Sequence, residues 1–253
     1  MDLGLGGKKA AITGGSRGIG RAIATRLLDE GASVAVSARG QEGVDEAVSA
    51  LSERGNIIGQ ACDAGDPDAL KGFIDWAAAE LGGLDILICN ASGGGGGQSD
   101  EKFDQNYQVD MMSLARGVQY AEDYLAASDA GSVLVLGTTA ALEQFGPGAS
   151  SYSAMKAAAI AYAAGLSQNL APKGIRVNAI SPGPIFIENG PWDRIKQGMP
   201  EFYDATVAMI PHGRMGTDTE VANVAAFLVS PAASWVTGEN VVVDGGFTKR
   251  IAF

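Results

Sequence analysis

The sequence predicts an α/β protein whose core is a doubly wound parallel β-sheet with helices on both faces. Short apolar runs alternate with helical patterns about six times along the chain, which is the order of elements that builds a parallel sheet. The chain has 253 residues, the length of one large α/β unit, and no linker or change in composition divides it. We therefore expect a single domain over residues 1–253.

The predicted elements follow one another in a regular order. Strands are predicted at residues 9–13, 33–37, 57–62, 84–89, 133–136, 175–180 and 241–244. Helices are predicted at residues 21–30, 44–54, 68–81, 103–127 and 153–170. The run at 84–89 is almost wholly apolar, which is typical of a strand covered on both faces.

Two segments depart from this alternation. Residues 186–215 combine three prolines with large apolar side chains, and we interpret them as an irregular substrate lid with an apolar inner face. The run Gly93–Gly97 directly follows a predicted strand, where such folds carry their ligand loops. It is either a flexible surface loop or a loop that shapes the substrate site.

Composition excludes several classes of protein. Hydrophobic residues make up 46% of the chain and charged residues 19%, as in a globular enzyme. The net charge of −11 would repel a phosphate backbone, so we expect no nucleic-acid partner. No run approaches the ~18 apolar residues of a membrane span, and no basic and apolar leader precedes the first motif. The 2 cysteines are too few for a disulfide framework and the single histidine disfavours a metal site, so we expect a cytoplasmic protein without membrane contact or metal.

A glycine-rich turn follows the first predicted strand. It reads Thr13-Gly14-Gly15-Ser16-Arg17-Gly18-Ile19-Gly20. Gly14 permits a tight turn, while Gly18 and Gly20 allow the backbone to approach a diphosphate and the helix to pack on the strand. The helix that begins there adds free N–H groups and a positive dipole end. The turn therefore indicates a dinucleotide site, and a compact turn without a ligand is the alternative.

The end of the second strand indicates which dinucleotide binds. A free ribose 2′-hydroxyl favours a carboxylate about 20 residues beyond the glycines, but this strand ends in Ser37-Ala38-Arg39. Arg39 and Arg17 can clamp a 2′-phosphate, which predicts NADP(H) as the cofactor; two solvated arginines are the alternative. Asp63 follows the third strand and either accepts a hydrogen bond from an adenine amino group or caps a turn.

Tyr152 and Lys156 lie four residues apart at the start of a predicted helix, so their side chains rise from one face. Tyrosine alone is a poor base, but an adjacent ammonium favours the phenolate form. A phenol held in this way can protonate a forming alkoxide, or take the proton when an alcohol is oxidised. The pair alone is not specific, and its weight comes from the order of the other motifs.

The chain resembles the classical short-chain dehydrogenases/reductases, and especially the 3-oxoacyl reductases among them, over nearly its whole length. The matching motifs are the glycine-rich turn, Asp63, Cys89-Asn90-Ala91-Ser92, Tyr152-Ser153-Ala154-Met155-Lys156, Asn178 through Pro182-Gly183, and Thr237-Gly238 through Val243-Asp244-Gly245-Gly246. The resemblance implies one Rossmann-like domain, usually tetrameric, in which hydride passes between a nicotinamide and a carbonyl or alcohol carbon. It also implies that Tyr152 is the acid/base, that Lys156 activates it and holds the nicotinamide ribose, and that Asn90 and Ile185 line the cofactor.

The chain departs from the family pattern at three positions. For the substrate-orienting serine, the spacing from Tyr152 gives Thr139, whereas the spacing from Gly131 and Asp110 gives Thr138, which we prefer; a threonine that only ends a strand is the alternative. Asp110 replaces a catalytic asparagine, and its carboxylate would pair with Lys156. Ile187 replaces a threonine that touches the carboxamide in the family. We expect Asp110→Asn to alter the pH–rate profile and to leave cofactor affinity nearly unchanged.

These observations predict an NADPH-dependent oxidoreductase that reduces a ketone to a secondary alcohol, or catalyses the reverse. The predicted catalytic residues are Asp110, Thr138, Tyr152 and Lys156, and the predicted cofactor residues are Gly14, Ser16, Arg17, Gly18, Ile19, Gly20, Arg39, Asp63, Asn90, Tyr152, Lys156 and Ile185. Two alternatives remain: a catalytically weak NADP(H)-binding sensor or scaffold, and a reductase of an activated C=C bond. We expect a small, hydrophobic carbonyl or alcohol substrate and a homotetramer.

Overall fold

A computed structural model describes residues 2–145 and 148–251 of the chain. The strands are β1 Lys9–Thr13, β2 Ser33–Ala38, β3 Ile57–Ala61, β4 Ile86–Cys89, β5 Ser132–Leu136, β6 Arg176–Pro182, β7 Ile185–Phe186, β8 Gly216–Thr217 and β9 Asn240–Val243. The α-helices are α1 Gly18–Asp29, α2 Gln41–Leu51, α3 Pro67–Leu81, α4 Asp100–Asn106, α5 Ser113–Ala126, α6 Ser151–Leu170, α7 Pro191–Gly198, α8 Pro200–Met209 and α9 Asp218–Val229.

Within the described ranges, seven strands form one sheet in the order β3-β2-β1-β4-β5-β6-β9, and every neighbouring pair is parallel. The predicted α/β class with a doubly wound, Rossmann-like sheet is therefore confirmed. The strand order reverses between β1 and β4, and the carboxyl ends of these two strands lie side by side, with Thr13 opposite Cys89. Ligands of such folds bind in the crevice at this point.

Two apolar layers cover the faces of the sheet. On one face Ile12 and Ile88 pack with residues of α1 and α9. On the other face Leu87 and Val133 pack with residues of α3, α5 and α6. Successive strand residues point to opposite faces, so a strand covered on both faces is apolar throughout. Each fully buried aliphatic side chain contributes about 1.5–3 kcal/mol relative to an exposed one.

The predicted helix over residues 103–127 is interrupted in the structure. A π-helical segment, Tyr107–Met112, joins α4 to α5. Such a bulge inserts one extra residue into the turn and often lies at a functional site. An apolar periodicity does not reveal it, because the helical pattern continues on both sides.

The prediction of an irregular segment over residues 186–215 is wrong. It contains two helices, α7 and α8, which begin at Pro191 and Pro200. A proline at the first helical position removes an N–H group that has no helical partner there and presets φ, so it starts a helix instead of breaking one. The short strands β7 and β8 pair at the base of the segment, with Ile185 opposite Gly216. Among the helices of the described residues, none has the length and apolarity that a bilayer crossing requires.

Candidate active site

The glycine-rich turn between β1 and α1 is tightly built. Gly14 and Gly18 have φ of 68° and 58°, a region that glycine adopts without strain. A Cβ at Gly20 would collide with Asn90 Nδ2 and with the carbonyl oxygen of Gly14. The N-cap residue of α1 is Arg17, whose side chain cannot accept hydrogen bonds from the first-turn N–H groups. The turn and the start of α1 therefore present N–H donors to an anion.

Asn90 fastens this turn to the end of β4. Its Nδ2 donates to the carbonyl oxygens of Thr13 at 3.0 Å and Gly14 at 2.8 Å. In return, Thr13 Oγ1 accepts from the backbone N–H groups of Asn90 and Ala91, each at 3.1 Å. The side chain that the sequence assigned to the cofactor thus holds the shape of the turn.

The remaining predicted cofactor residues lie around the same crevice. Ser16 and Ile19 are half-buried in the turn, whereas Arg17 and Arg39 are exposed. Neither guanidinium forms an ion pair with any residue that the structure describes.

Two predicted cofactor residues make contacts within the protein. Asp63 is exposed, and its Oδ1 accepts from the Gly65 N–H at 2.9 Å, which is the turn-capping interaction considered from the sequence. The second carboxylate oxygen of Asp63, Oδ2, does not take part in this turn-capping hydrogen bond. Ile185 is 6% exposed and packs in the core cluster beside α9.

The predicted catalytic pair lies in the first turns of α6. The helix begins at Ser151, so Tyr152 and Lys156 are one turn apart, and Tyr152 is half-buried. Lys156 Nζ donates to the carbonyl oxygen of Leu136, at the end of β5, at 2.6 Å. The same Nζ lies 6.0 Å from the centroid of the Tyr152 ring. The ammonium is therefore anchored to the sheet beside the phenol.

Asp110 projects from the π-helical segment towards this lysine. Its Oδ1 lies 3.2 Å from Lys156 Nζ, and the exposed fractions of the two side chains are 0% and 4%. Its Oδ2 accepts from the Gly93 N–H at 3.1 Å and from Asn106 Nδ2 at 2.8 Å. A carboxylate and an ammonium this deeply buried stay charged only when they are paired and hydrogen-bonded. The structure thus brings together Asp110, Tyr152 and Lys156.

Thr138 and Thr139 differ in exposure. Thr138 is half-buried and is the N-cap residue of the short 3₁₀ turn Thr139–Ala141, where its Oγ1 accepts from the Ala140 N–H at 3.2 Å. Thr139 is only 3% exposed. Of the two hydroxyl groups considered from the sequence, that of Thr138 is the more accessible.

Comparison with known proteins gives a consistent picture. A family model described as enoyl-(acyl carrier protein) reductase matches residues 14–248. Isoepoxydon dehydrogenase patN of Penicillium expansum is 39% identical over 251 residues, which are 97% of this chain and 96% of that protein. The 7alpha-hydroxysteroid dehydrogenase of Escherichia coli strain K12 is 35% identical over 258 residues, covering 99% of this chain and 98% of that one. A dehydrogenase/reductase of Sinorhizobium meliloti 1021, known from its crystal structure, superposes with a TM-score of 0.91 at 33% identity over 98% of each chain.

The chain belongs to the short-chain dehydrogenase/reductase family. It is a classical member and an oxidoreductase, and proteins of this family use nicotinamide cofactors. The glycine-rich turn of this dehydrogenase/reductase fits such a group, because Gly14 and Gly18 adopt the positive φ of a tight turn and no side chain caps the first-turn N–H groups of α1. Among the described residues no cluster of side chains could hold a metal ion.

The glycine run of this dehydrogenase/reductase is packed against α6. A Cβ at Gly96 would lie 2.6 Å from the Tyr152 nitrogen. Gly97 N–H donates to Ser151 Oγ at 3.1 Å, and the Ser151 N–H donates to the carbonyl oxygen of Gly97 at 3.0 Å. The run therefore lies beside the candidate catalytic tyrosine, and a side chain at Gly96 would displace it.

An aromatic cluster occupies the inner side of the segment with α7 and α8. Phe186 and Tyr203 meet edge to face at 6.3 Å between ring centroids, and both pack against the buried cluster that contains Phe247 of the C-terminal tail. Phe247 in turn stacks on Phe145 at 4.4 Å. Glu143 Oε1 accepts from two backbone N–H groups of the tail, those of residues 249 and 250, each at 2.8 Å. This contact with the tail could not be predicted from the sequence, because the partners are more than a hundred positions apart.

The two cysteines are buried and unreactive in character. Burial raises the pKa of the Cys89 thiol to about 12, although Lys156 lowers it. Burial, with a smaller effect of nearby carboxylates, raises the pKa of the Cys62 thiol to about 11. Neither thiol is a candidate nucleophile, because the reactive species is the thiolate.

Proposed function

We propose that this protein is an NADP(H)-dependent oxidoreductase that reduces a ketone to a secondary alcohol, or catalyses the reverse reaction, with Tyr152 as the acid/base. The observation that carries the proposal is the buried ion pair beside the phenol. Lys156 Nζ is held by the Leu136 carbonyl at 2.6 Å and by Asp110 Oδ1 at 3.2 Å, one helical turn from Tyr152. A fixed ammonium beside the phenol stabilises the negative charge that develops on the phenol oxygen as its proton is transferred.

Each residue then has a distinct task. Tyr152 donates its hydroxyl proton to the carbonyl oxygen as that oxygen becomes an alkoxide, and takes the proton back in the oxidative direction. Thr138 Oγ1 orients the same oxygen by a hydrogen bond, and Asp110 keeps Lys156 in place. When bound, the nicotinamide supplies hydride to the carbonyl carbon or accepts it from the alcohol. Asn90 and Ile185 line the cofactor, and the lid segment closes the apolar side of the pocket.

Replacement of Tyr152 tests this proposal. We expect Tyr152→Phe to lower kcat by about 100- to 10,000-fold, the range of a lost acid/base group, while the Kd for NADPH changes little. The assay follows absorbance of the nicotinamide with a panel of ketones and alcohols. Turnover that survives in the variant would refute Tyr152 as the proton donor.

The proposed preference for the phosphorylated cofactor rests on Arg17 and Arg39. Both are exposed at the carboxyl edge of the sheet and are free of ion pairs among the described residues. We expect replacement of either by alanine to lower kcat/KM for NADPH by about 10- to 100-fold, the value of one charge-assisted interaction, and to leave NADH nearly unaffected. Arg54→Ala is the control, since Arg54 pairs with Asp29 at 2.8 Å away from the turn. Equal losses with both cofactors would contradict the assignment.

The proposed substrate is small and hydrophobic, with a ring as the favoured shape. The aromatic side chains Phe186, Tyr203 and Phe145 belong to the cluster around Phe247, and the names of two relatives refer to isoepoxydon and to a hydroxysteroid. Cyclic ketones and secondary alcohols of both kinds therefore belong in the panel.

Reduction of an activated C=C bond is the second candidate. The description of the matching family model, enoyl-(acyl carrier protein) reductase, favours it. Enones and enoyl thioesters distinguish the two, because Tyr152→Phe would leave C=C reduction by another donor intact. Tight NADPH binding without turnover of either class would instead favour the sensor.

We further propose a homotetramer. Trp235, which follows α9, is 98% exposed in the single chain, and Tyr162, which is 40% exposed, lines a groove between α5 and α6. Large apolar side chains left open in this way are typical of subunit contacts. Light scattering measures the mass directly, and a monomer at micromolar concentration would refute the proposal.

A further inference from the structure

Asn106 is a fully buried side chain that no motif of the sequence singled out. It is the last residue of α4, and its exposed fraction is 0%. Its Nδ2 donates to Asp110 Oδ2 at 2.8 Å and to the carbonyl oxygen of Gly94 at 3.2 Å. Its Oδ1 accepts from Ser151 Oγ at 2.7 Å. One amide group therefore joins three segments of the chain.

These hydrogen bonds fix the orientation of the amide. The two neighbours of Nδ2 are acceptors, and the hydroxyl proton of Ser151 points at Oδ1 because Ser151 Oγ already accepts from the Gly97 N–H at 3.1 Å. Aspartate at this position would offer no donor and would set a second carboxylate against Asp110. Leucine, of similar size, would offer neither donor nor acceptor. Asparagine is thus the residue whose chemistry satisfies all of its partners.

Both ends of this network reach the candidate catalytic pair. On one side, Asn106 holds Oδ2 of Asp110, so that Oδ1 stays 3.2 Å from Lys156 Nζ. On the other side, it holds Ser151, the residue immediately before Tyr152. The same amide therefore constrains the carboxylate that faces the ammonium and the helical turn that carries the phenol.

We propose that Asn106 is a positioning residue for Tyr152 and Lys156, acting through Asp110 and Ser151. The inference rests on the proposed function, because it assigns a role towards the acid/base pair named there. Loss of the amide leaves a buried carboxylate short of one donor and frees the start of α6. The rate of the chemical step should then fall. The glycine-rich turn should keep its shape, because separate hydrogen bonds from Asn90 hold it.

The test compares Asn106→Leu with a matched control. We expect Asn106→Leu to lower kcat by about 10- to 100-fold, since one unsatisfied buried partner costs about 1–3 kcal/mol and 1.4 kcal/mol is tenfold in rate. KM and the Kd for NADPH should stay within about threefold of the wild type. The control is Asn178→Leu, because Asn178 is equally buried at 1% and also bridges two backbone groups, those of Val236 and Glu239. Asn178→Leu should lower the melting temperature comparably and leave kcat of the folded enzyme unchanged.

A double-mutant cycle tests whether Asn106 acts on the catalytic pair through Asp110. If Asn106 acts through Asp110, Asn106→Leu combined with Asp110→Asn should be no more than about twofold slower than the more damaging of the two single variants. Additive losses, or a kcat of Asn106→Leu within about twofold of the wild type, would overturn the proposal. Should Asn106→Leu fail to fold, Ser151→Ala removes one hydroxyl at little change in volume and should still lower kcat with KM unchanged.

Tyr152→Phe in the same assay separates this inference from the proposed function. Loss of turnover in Tyr152→Phe together with an unaffected Asn106→Leu would refute only the positioning role. Turnover that survives in Tyr152→Phe would refute the proposed function itself.

Discussion

Replacement of Asp110 by asparagine removes one charge from a buried ion pair and keeps the size and shape of the side chain. Asp110 uses Oδ2 to accept two hydrogen bonds and Oδ1 to face Lys156 at 3.2 Å. An asparagine has one acceptor oxygen. If that oxygen faces Lys156, the amide NH2 group meets the N–H donors of Gly93 and Asn106; if it faces those donors, the NH2 group meets the ammonium.

The magnitude follows from this conflict. Removal of one partner from a buried ion pair costs about 3–5 kcal/mol. The amide carbonyl can recover part of this, because a hydrogen bond to a charged group is worth about 1.5–3 kcal/mol. We therefore expect Asp110→Asn to lower the free energy of unfolding by about 1.5–2 kcal/mol, which corresponds to a melting temperature roughly 3–8 °C lower for a domain of this size.

Denaturant unfolding and calorimetry measure the effect, with Asp29→Asn as the control. Asp29 pairs with Arg54 at 2.8 Å, but their side chains are 41% and 48% exposed, so the control should change stability by less than about 1 kcal/mol. The pH–rate profile of Asp110→Asn should also change, because the charge next to Lys156 is gone. The Kd for NADPH should not, since none of the contacts of Asp110 given above reaches the glycine-rich turn. Equal stability losses in the two variants would refute the argument from burial. An unchanged pH–rate profile would refute an effect of the Asp110 charge on the reaction.

Three further predictions follow from other parts of the structure. Cys62 and Cys89 should resist a thiol reagent at mildly alkaline pH in the native protein and react fully on unfolding, because burial raises both pKa values; rapid native labelling would contradict this. Hydrogen bonds, chiefly from Arg214, lower the pKa of Glu220 from 4.5 to about 2. Its contribution to stability should therefore be present above about pH 4.5 and be lost as the pH falls towards 2, so Glu220→Gln should differ in melting temperature from the wild type near neutral pH but not in acid. Gly20→Ala should weaken NADPH binding by more than about tenfold, because the added methyl group overpacks the glycine-rich turn. Gly72→Ala is the control: Gly72 has open space around it in α3, so binding should not change. Equal Kd values for the two variants would contradict a cofactor site at the glycine-rich turn.

Local patterns predicted most of the fold. The turn from β1 into α1 depends on glycines within a few positions of one another, so its shape can be inferred from sequence alone. Helices α7 and α8 could not be inferred in the same way, because a proline such as Pro191 or Pro200 either starts a helix or breaks one, depending on its position relative to the first turn. The role of Asn106 could not be predicted for a different reason: a single polar residue in a helix carries no periodic signal, and Ser151, one of its partners, lies 45 positions away. The contact of Glu143 with the C-terminal tail could not be predicted either, because its partners lie more than 100 positions away.

Asp110, which the sequence singled out as unusual, and Asn106, which it did not, belong to one buried hydrogen-bond network. A carboxylate in place of a neutral amide is costly in a dry site unless a cation and additional donors meet it. Here Lys156 supplies the cation, while Asn106 and the Gly93 N–H supply the donors. A cofactor sensor without chemistry would gain nothing from a buried ammonium, a buried carboxylate and the amide that orients them. The ion pair of Asp110 with Lys156 and the two hydrogen bonds to Asp110 Oδ2 therefore favour an enzyme that holds its lysine with a carboxylate over a protein that has lost its catalytic site.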